Sequence, residues 1–155
     1  MTAIRFVVLS CLLAMSGCAS TGNVPASGTA FKLDGCSPFL NCVSSESSVG
    51  LYQVQSIELL QPLDPSSWDR IKSTALELPG ASLEEARYGY ANITCYSDFF
   101  GFPDFLEILV ADDGRHLNVR SQSMLGFYDL GVNRARVERL REHLAEKDIA
   151  VGAVQ

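Results

Sequence analysis

The residues with the most chemistry in this sequence are its five cysteines, and their neighbours give them different tasks. Cys18 ends the run Met15-Ser16-Gly17-Cys18, which has the form of a bacterial lipobox, with Met15 where Leu is more usual. A thiol in that setting accepts a diacylglyceryl group, and the chain is cut just before it. The residues upstream fit that reading. Phe6 to Met15 are apolar apart from Ser10, and Arg5 is the only charge among the first 17 residues. An apolar run of about ten residues spans roughly half of a bilayer's hydrocarbon core, which suits an export signal and not a transmembrane helix. A cleaved soluble export signal and an uncleaved anchor are the alternatives. Each buried methylene contributes about 0.8 kcal/mol, so one acyl chain holds marginally and two hold stably. The expected partner of Cys18 is therefore the membrane itself, through palmitate-type chains. Ala19 stands where an Asp would favour inner-membrane retention. The expected location is the bacterial cell envelope, lipid-anchored at the outer membrane and facing the periplasm.

Cys11 leaves with the signal, so Cys36, Cys42 and Cys95 remain. Beyond the inner membrane the compartment is oxidising, and a disulfide is expected there. The short loop Cys36-Ser37-Pro38-Phe39-Leu40-Asn41-Cys42 favours the pair Cys36–Cys42, with a pairing to Cys95 as the alternative. Catalytic dithiols use Cys-x-x-Cys spacing at a helix N-terminus, which lowers one thiol's pKa. A longer loop carrying Pro38 reads as a structural staple. His116 and His143 lie far from these thiols in sequence, so no zinc site is expected. No Gly-x-Ser-x-Gly elbow or Gly-rich phosphate loop is present in the sequence. No catalytic residue, metal or cofactor is assigned.

The formal net charge is -6, and removal of Arg5 with the signal lowers it by one. An acidic domain lacks the basic patch that phosphate neutralisation needs, so nucleic acid is not an expected partner. Residues 18–34 are small and polar, with Gly22, Pro25, Ser27 and Gly28, and read as a tether. About 12 such residues span roughly 20 Å. Residues 35–155 then form a single domain of ordinary size.

Hydrophobic spacing places the elements. Residues 51–60 read as a strand, with Tyr52, Val54 and Ile57. Asp64 caps a helix with Pro65 in its first position, and Trp68, Ile71, Ala75 and Leu78 form its apolar stripe. A strand containing Tyr88, Tyr90, Ile93 and Tyr96 follows. Asp113-Gly114 then reads as a two-residue hairpin turn. That turn sets Val110 opposite Leu117, Ile108 opposite Val119, Glu107 opposite Arg120 and Leu109 opposite Asn118. The last helix runs from about Asn133, its expected cap, to Lys147. Val137, Leu140 and Leu144 are its buried stripe, while Arg136 and Arg141 sit at the edges with their heads in water. The order strand–helix–strand–strand–strand–helix predicts an α+β fold, an antiparallel sheet of about four strands with two helices on one face.

On the other face of the predicted sheet, Asn118, Arg120 and Gln122 line up beside Glu107. A cross-strand ion pair there contributes roughly 0.2–1 kcal/mol. An open sheet face carrying a guanidinium is also a place for an anionic or polar partner. Phe99-Phe100-Gly101-Phe102-Pro103 is an aromatic run expected to fold back over the core edge.

Several segments together resemble a known family. They are Asn41-Cys42-Val43-Ser44-Ser45, Phe100-Gly101-Phe102, Val119-Arg120-Ser121, and Gly126-Phe127-Tyr128-Asp129-Leu130-Gly131-Val132-Asn133-Arg134. In that order they resemble the bacterial domain-of-unknown-function 1499 family over about residues 36–146. Leu40 stands where that family usually has Pro, Tyr128 where it has Ser, and Phe105 where a second Asp is common. The last departure argues against a metal site built on Asp104. The resemblance implies a small envelope-associated domain and no established reaction. It adds Asp129, Asn133 and Arg136 to Glu107, Asn118, Arg120 and Gln122 as candidate binding residues. The expected function is a non-enzymatic binding or accessory domain for an envelope protein or small polar ligand. A thiol-redox or hydrolytic enzyme, or a lipid-handling domain with an apolar cavity, are the alternatives.

Overall fold

A computed structural model describes residues 32–36, 38–96 and 101–152. The expected signal 1–17, Cys18, most of the expected tether, and Phe99 and Phe100 of the aromatic run lie outside the described residues. Among the described residues, six strands and two helices follow in chain order: β1 (Cys42–Ser44), β2 (Ile57–Glu58), α1 (Pro65–Ala75), β3 (Ala81–Arg87), β4 (Tyr90–Tyr96), β5 (Pro103–Val110), β6 (His116–Ser123) and α2 (Val132–Glu146). The strands form one sheet in the order β1-β6-β5-β4-β3, and β2 pairs with β6 alongside β1. All named pairings are antiparallel. The α+β class is as expected, and the sheet has more strands than the four predicted.

The extra strands have weak local signals. β3 carries Ser82, Glu84 and Glu85, is mostly exposed and forms a sheet edge. Charge on an edge strand discourages pairing with other chains, so tertiary position and not propensity places it. Tyr88-Gly89 is the turn that joins it to β4, with Arg87 opposite Tyr90. Gly89 adopts φ 80°, and a Cβ there would lie 2.6 Å from Val110 Cγ1. The expected strand over 51–60 shrinks to β2 and two isolated bridges, Gln53 to Ser44 and Leu59 to Ala150. Part of the reason is a competing donor. The Arg141 guanidinium binds the carbonyls of Gln55 and Ser56 at 2.7 and 2.9 Å.

The β5–β6 register matches the sequence expectation: Glu107 faces Arg120, Ile108 faces Val119, Leu109 faces Asn118 and Val110 faces Leu117. The turn itself is wider. Ala111 N–H donates to His116 O at 2.8 Å, which closes a four-residue loop. A two-residue type I′ turn needs positive φ at both central residues, and of this pair only Gly114 has it. Asp113 instead accepts from the backbone of Arg115 and His116 and pairs with the His116 ring.

Asp64 caps α1 as expected, in a reciprocal capping box with Ser67. α2 begins differently. Its N-cap is Gly131, at φ 82° and with no side chain of its own to cap the helix. Asn133 lies inside the first turn and is fully buried. Both helices cover one face of the sheet. Trp68 and Ile71 of α1 and Val137, Leu140 and Leu144 of α2 pack with Ile93, Leu106, Ile108, Leu117 and Val119. Side chains thus fill the space between the helices and this face of the sheet.

Candidate functional site

The candidate residues divide between the two faces of the sheet. Asp129, Asn133 and Arg136 lie under the start of α2, on the helix side. Along β6, Leu117, Val119, Ser121 and Ser123 point to that side and are buried, so two hydroxyls occupy core-facing positions. Asn133 satisfies them. Its Oδ1 accepts from Ser121 Oγ at 2.7 Å, and its Nδ2 donates to Ser123 Oγ at 2.9 Å and to the Asn41 carbonyl at 3.0 Å. Asp129 takes the capping duty that the sequence assigned to Asn133. Its carboxylate accepts from the Gly131, Asn133 and Asn133 Nδ2 N–H groups at 2.9, 3.0 and 2.7 Å.

Arg136 completes this cluster. Its guanidinium donates to Ser121 Oγ at 2.9 Å, to Asn133 Oδ1 at 2.7 Å and to Asp104 Oδ2 at 2.5 Å. The ion pair is nearly sealed, with side-chain exposures of 11% and 9%. The expectation that Arg136 and Arg141 keep their heads in water is therefore wrong. Arg141 is 5% exposed. Each guanidinium finds enough carbonyl, hydroxyl or carboxylate acceptors to replace hydration. The geometry is that of a clasp joining α2 to β1, β5 and β6. Its other members, Asn41, Asp104, Ser121 and Ser123, are polar residues at buried positions. In β5 and β6, strand parity is the sequence signal that marks them.

Cys95 stands across from Asp104 at the edge of this clasp and is buried and reduced. Burial pushes its thiol pKa up, the nearby Arg136 draws it down, and Asp104 raises it. A buried thiol held protonated is a poor nucleophile. The other two thiols are joined: Cys36 and Cys42 form a disulfide with Cα atoms 5.5 Å apart.

The opposite face carries Glu107, Asn118, Arg120 and Gln122. Cross-strand pairing sets one polar row across four strands, Asn92–Glu107–Arg120–Ser44. Arg120 Nη1 meets Glu107 Oε2 at 2.7 Å, and Arg120 Nη2 donates to Gln122. Tyr90 OH donates to the second Glu107 oxygen at 3.0 Å. Burial, together with the adjacent Glu107 charge, pushes the Tyr90 phenol pKa up. This face is less open than the sequence suggests. Tyr90, Thr94 and Leu109 are buried, and Glu107 and Arg120 are 15% and 12% exposed. Glu46 contributes to the cover, bridging Asn118 Nδ2 to the Leu33 amide with two 2.9 Å bonds. Among the described residues, two buried polar atoms in the row have no hydrogen-bond partner, Arg120 Nε and Asn92 Oδ1.

A family model, described as a protein of unknown function (DUF1499), matches residues 32–144. The chain belongs to the DUF1499 family. No curated protein and no solved structure gives a match. The DUF1499 match takes in β1 to β6 and nearly all of α2, so both polar clusters are features of a DUF1499 domain.

Proposed function

We propose that this chain is a membrane-anchored envelope lipoprotein whose DUF1499 domain is a non-enzymatic binding module. Cys18 carries the acyl chains, and the Glu107–Arg120 row receives a small anionic or polar group. The observation that carries the binding reading is the pair of unused atoms in that row. A buried N–H donor and a buried carbonyl acceptor left unmatched cost about 1–3 kcal/mol each. Such a cost is repaid when a ligand or partner supplies the missing atoms. Asn92 and Arg120 flank Glu107 on successive strands, so a ligand with an acceptor for Arg120 Nε and a donor for Asn92 Oδ1 would straddle the ion pair.

Two features support a binding role over catalysis. Glu107 is engaged on both oxygens, by Arg120 and Tyr90, which favours a fixed carboxylate over a proton shuttle. The Cys36–Cys42 disulfide joins the start of the domain to β1, in keeping with a staple. The test is nuclear magnetic resonance of the arginine Nε–H signals during titration with inorganic phosphate and with acetate. The Arg120 Nε–H signal shifts on addition of anion, and the Arg141 signal does not. Arg120→Ala abolishes the binding while the protein stays folded. A signal that never responds, or an Arg120→Ala protein that unfolds, reduces the row to a structural ion pair.

A further inference from the structure

The loop between β6 and α2 displays an unusual amount of apolar surface. Met124, Leu125, Phe127, Tyr128, Leu130 and Val132 are all exposed, Phe127 to 74% and Leu130 to 82%. The only charge from Met124 to Val132 is Asp129, a half-buried residue whose two oxygens accept from Gly131 and Asn133. The side chains the loop exposes most, Phe127 and Leu130, are uncharged. Leu130 adopts φ 55°, a left-handed conformation rare for a side-chain-bearing residue. The patch continues onto the first loop: Phe127 meets Phe39 edge-on at 5.0 Å, and Tyr128 bridges to Leu40.

The position of the patch in the chain identifies its occupant. Leu40 lies inside the Cys36–Cys42 disulfide loop, so the staple joins the first described segment of the chain to the patch. The sequence between Cys18 and that segment is short, and a run of about 12 such residues spans roughly 20 Å. A domain tethered at that point is held at high local concentration against the surface that holds its anchor. Aromatic side chains with one polar end, as in Tyr128, favour the membrane–water boundary.

We infer that the Met124–Val132 loop, with Phe39 and Leu40, is a membrane-contacting surface that seats the domain on the lipid bilayer in which Cys18 is anchored. The inference rests on the lipoprotein reading. Acyl chains supply retention, and the patch supplies orientation. Of the two polar clusters only Asp129 lies within this loop, and its carboxylate is engaged by Gly131 and Asn133.

The test uses the acylated full-length protein in vesicles of phosphatidylethanolamine and phosphatidylglycerol, with a fluorophore on Leu130→Cys. Cys95 is buried and Cys36–Cys42 is oxidised, so the new thiol is labelled selectively. Leu83→Cys, on the edge strand β3 at the far side of the sheet, is the control. Phe127→Cys serves if the Leu130 variant misfolds. Spin-labelled acyl chains quench the Leu130 label, and aqueous iodide quenches it several-fold less than the Leu83 label. Equal iodide quenching at both positions overturns the inference. Shielding from iodide without acyl-chain quenching also overturns it, and assigns the patch to a second copy of the chain. Mass analysis of the Cys18 peptide separates the two readings. If it is acylated while Leu130 faces water, the anchor stands and the docking surface falls. If it is not acylated, the lipoprotein reading fails and takes this inference with it.

Discussion

Asn133 shows how one residue's role is set by its surroundings and not by its type. Asn before an apolar stripe is a good cap by propensity, and the sequence supports that reading. The structure instead uses both ends of its amide inside the core, on Ser121, Ser123 and the Asn41 carbonyl. Sequence pattern cannot show this, because the partners come from β6 and from the residue just before β1. Replacing Asn133 with Ala leaves those groups buried and unpaired, with an expected loss of about 2–4 kcal/mol in denaturant unfolding. Cys95 and Tyr90 give a pH prediction at the same scale. Both folded pKa values lie above the ordinary values of 9.0 and 10.0. The folded state therefore keeps protons that the unfolded chain releases. Their contribution is complete below pH 9 and is lost as pH rises above it. Cys95→Ala should blunt the loss of stability that begins near pH 9, and Tyr90→Phe the part that begins near pH 10, both read as Tm against pH.

Elements were legible where local signals and burial agree. α1 has its cap, its Pro65 and a stripe that is buried at every named position. The β5–β6 register follows from alternation, and survives the wider turn because a four-residue loop and a two-residue loop centred on Asp113-Gly114 give the same pairing. β3 was illegible because an exposed, charged edge strand has no alternating apolar face to read. Its hairpin depends on Gly89. Gly89→Ala combines a positive φ with a 2.6 Å approach to Val110 Cγ1. A destabilisation of about 1–3 kcal/mol is expected, relieved in part by Val110→Ala, which removes the clashing methyl. Full destabilisation in that double variant would show that backbone conformation and not contact sets the cost. The same blindness to distant partners explains the clasp. Arg136 and Arg141 look like edge arginines on a helical wheel, and only the approach of β5 and the 55–56 segment buries them.

At the scale of the whole molecule, the helices, sheet and polar row divide the labour. One face of the sheet is an apolar core closed by two helices, and its polar clasp fixes α2. The other face carries the Asn92–Glu107–Arg120–Ser44 row, which the sequence located at Glu107 and Arg120 but missed at Asn92 and Tyr90. Its completeness depends on β4, whose register no local pattern reveals. The apolar loop at the start of α2 lies beside the disulfide that ties down the first described segment. An acidic domain gains nothing from charge at an anionic lipid surface, so the proposed membrane residence rests on covalent lipid. The acylation of Cys18 is thus the claim on which the rest is arranged. Metabolic labelling with palmitate, followed by detergent phase partitioning, tests it most directly. Wild-type protein should carry label and enter the detergent phase, and Cys18→Ser should carry none. An unlabelled wild-type protein, or equal label on both, would contradict the account.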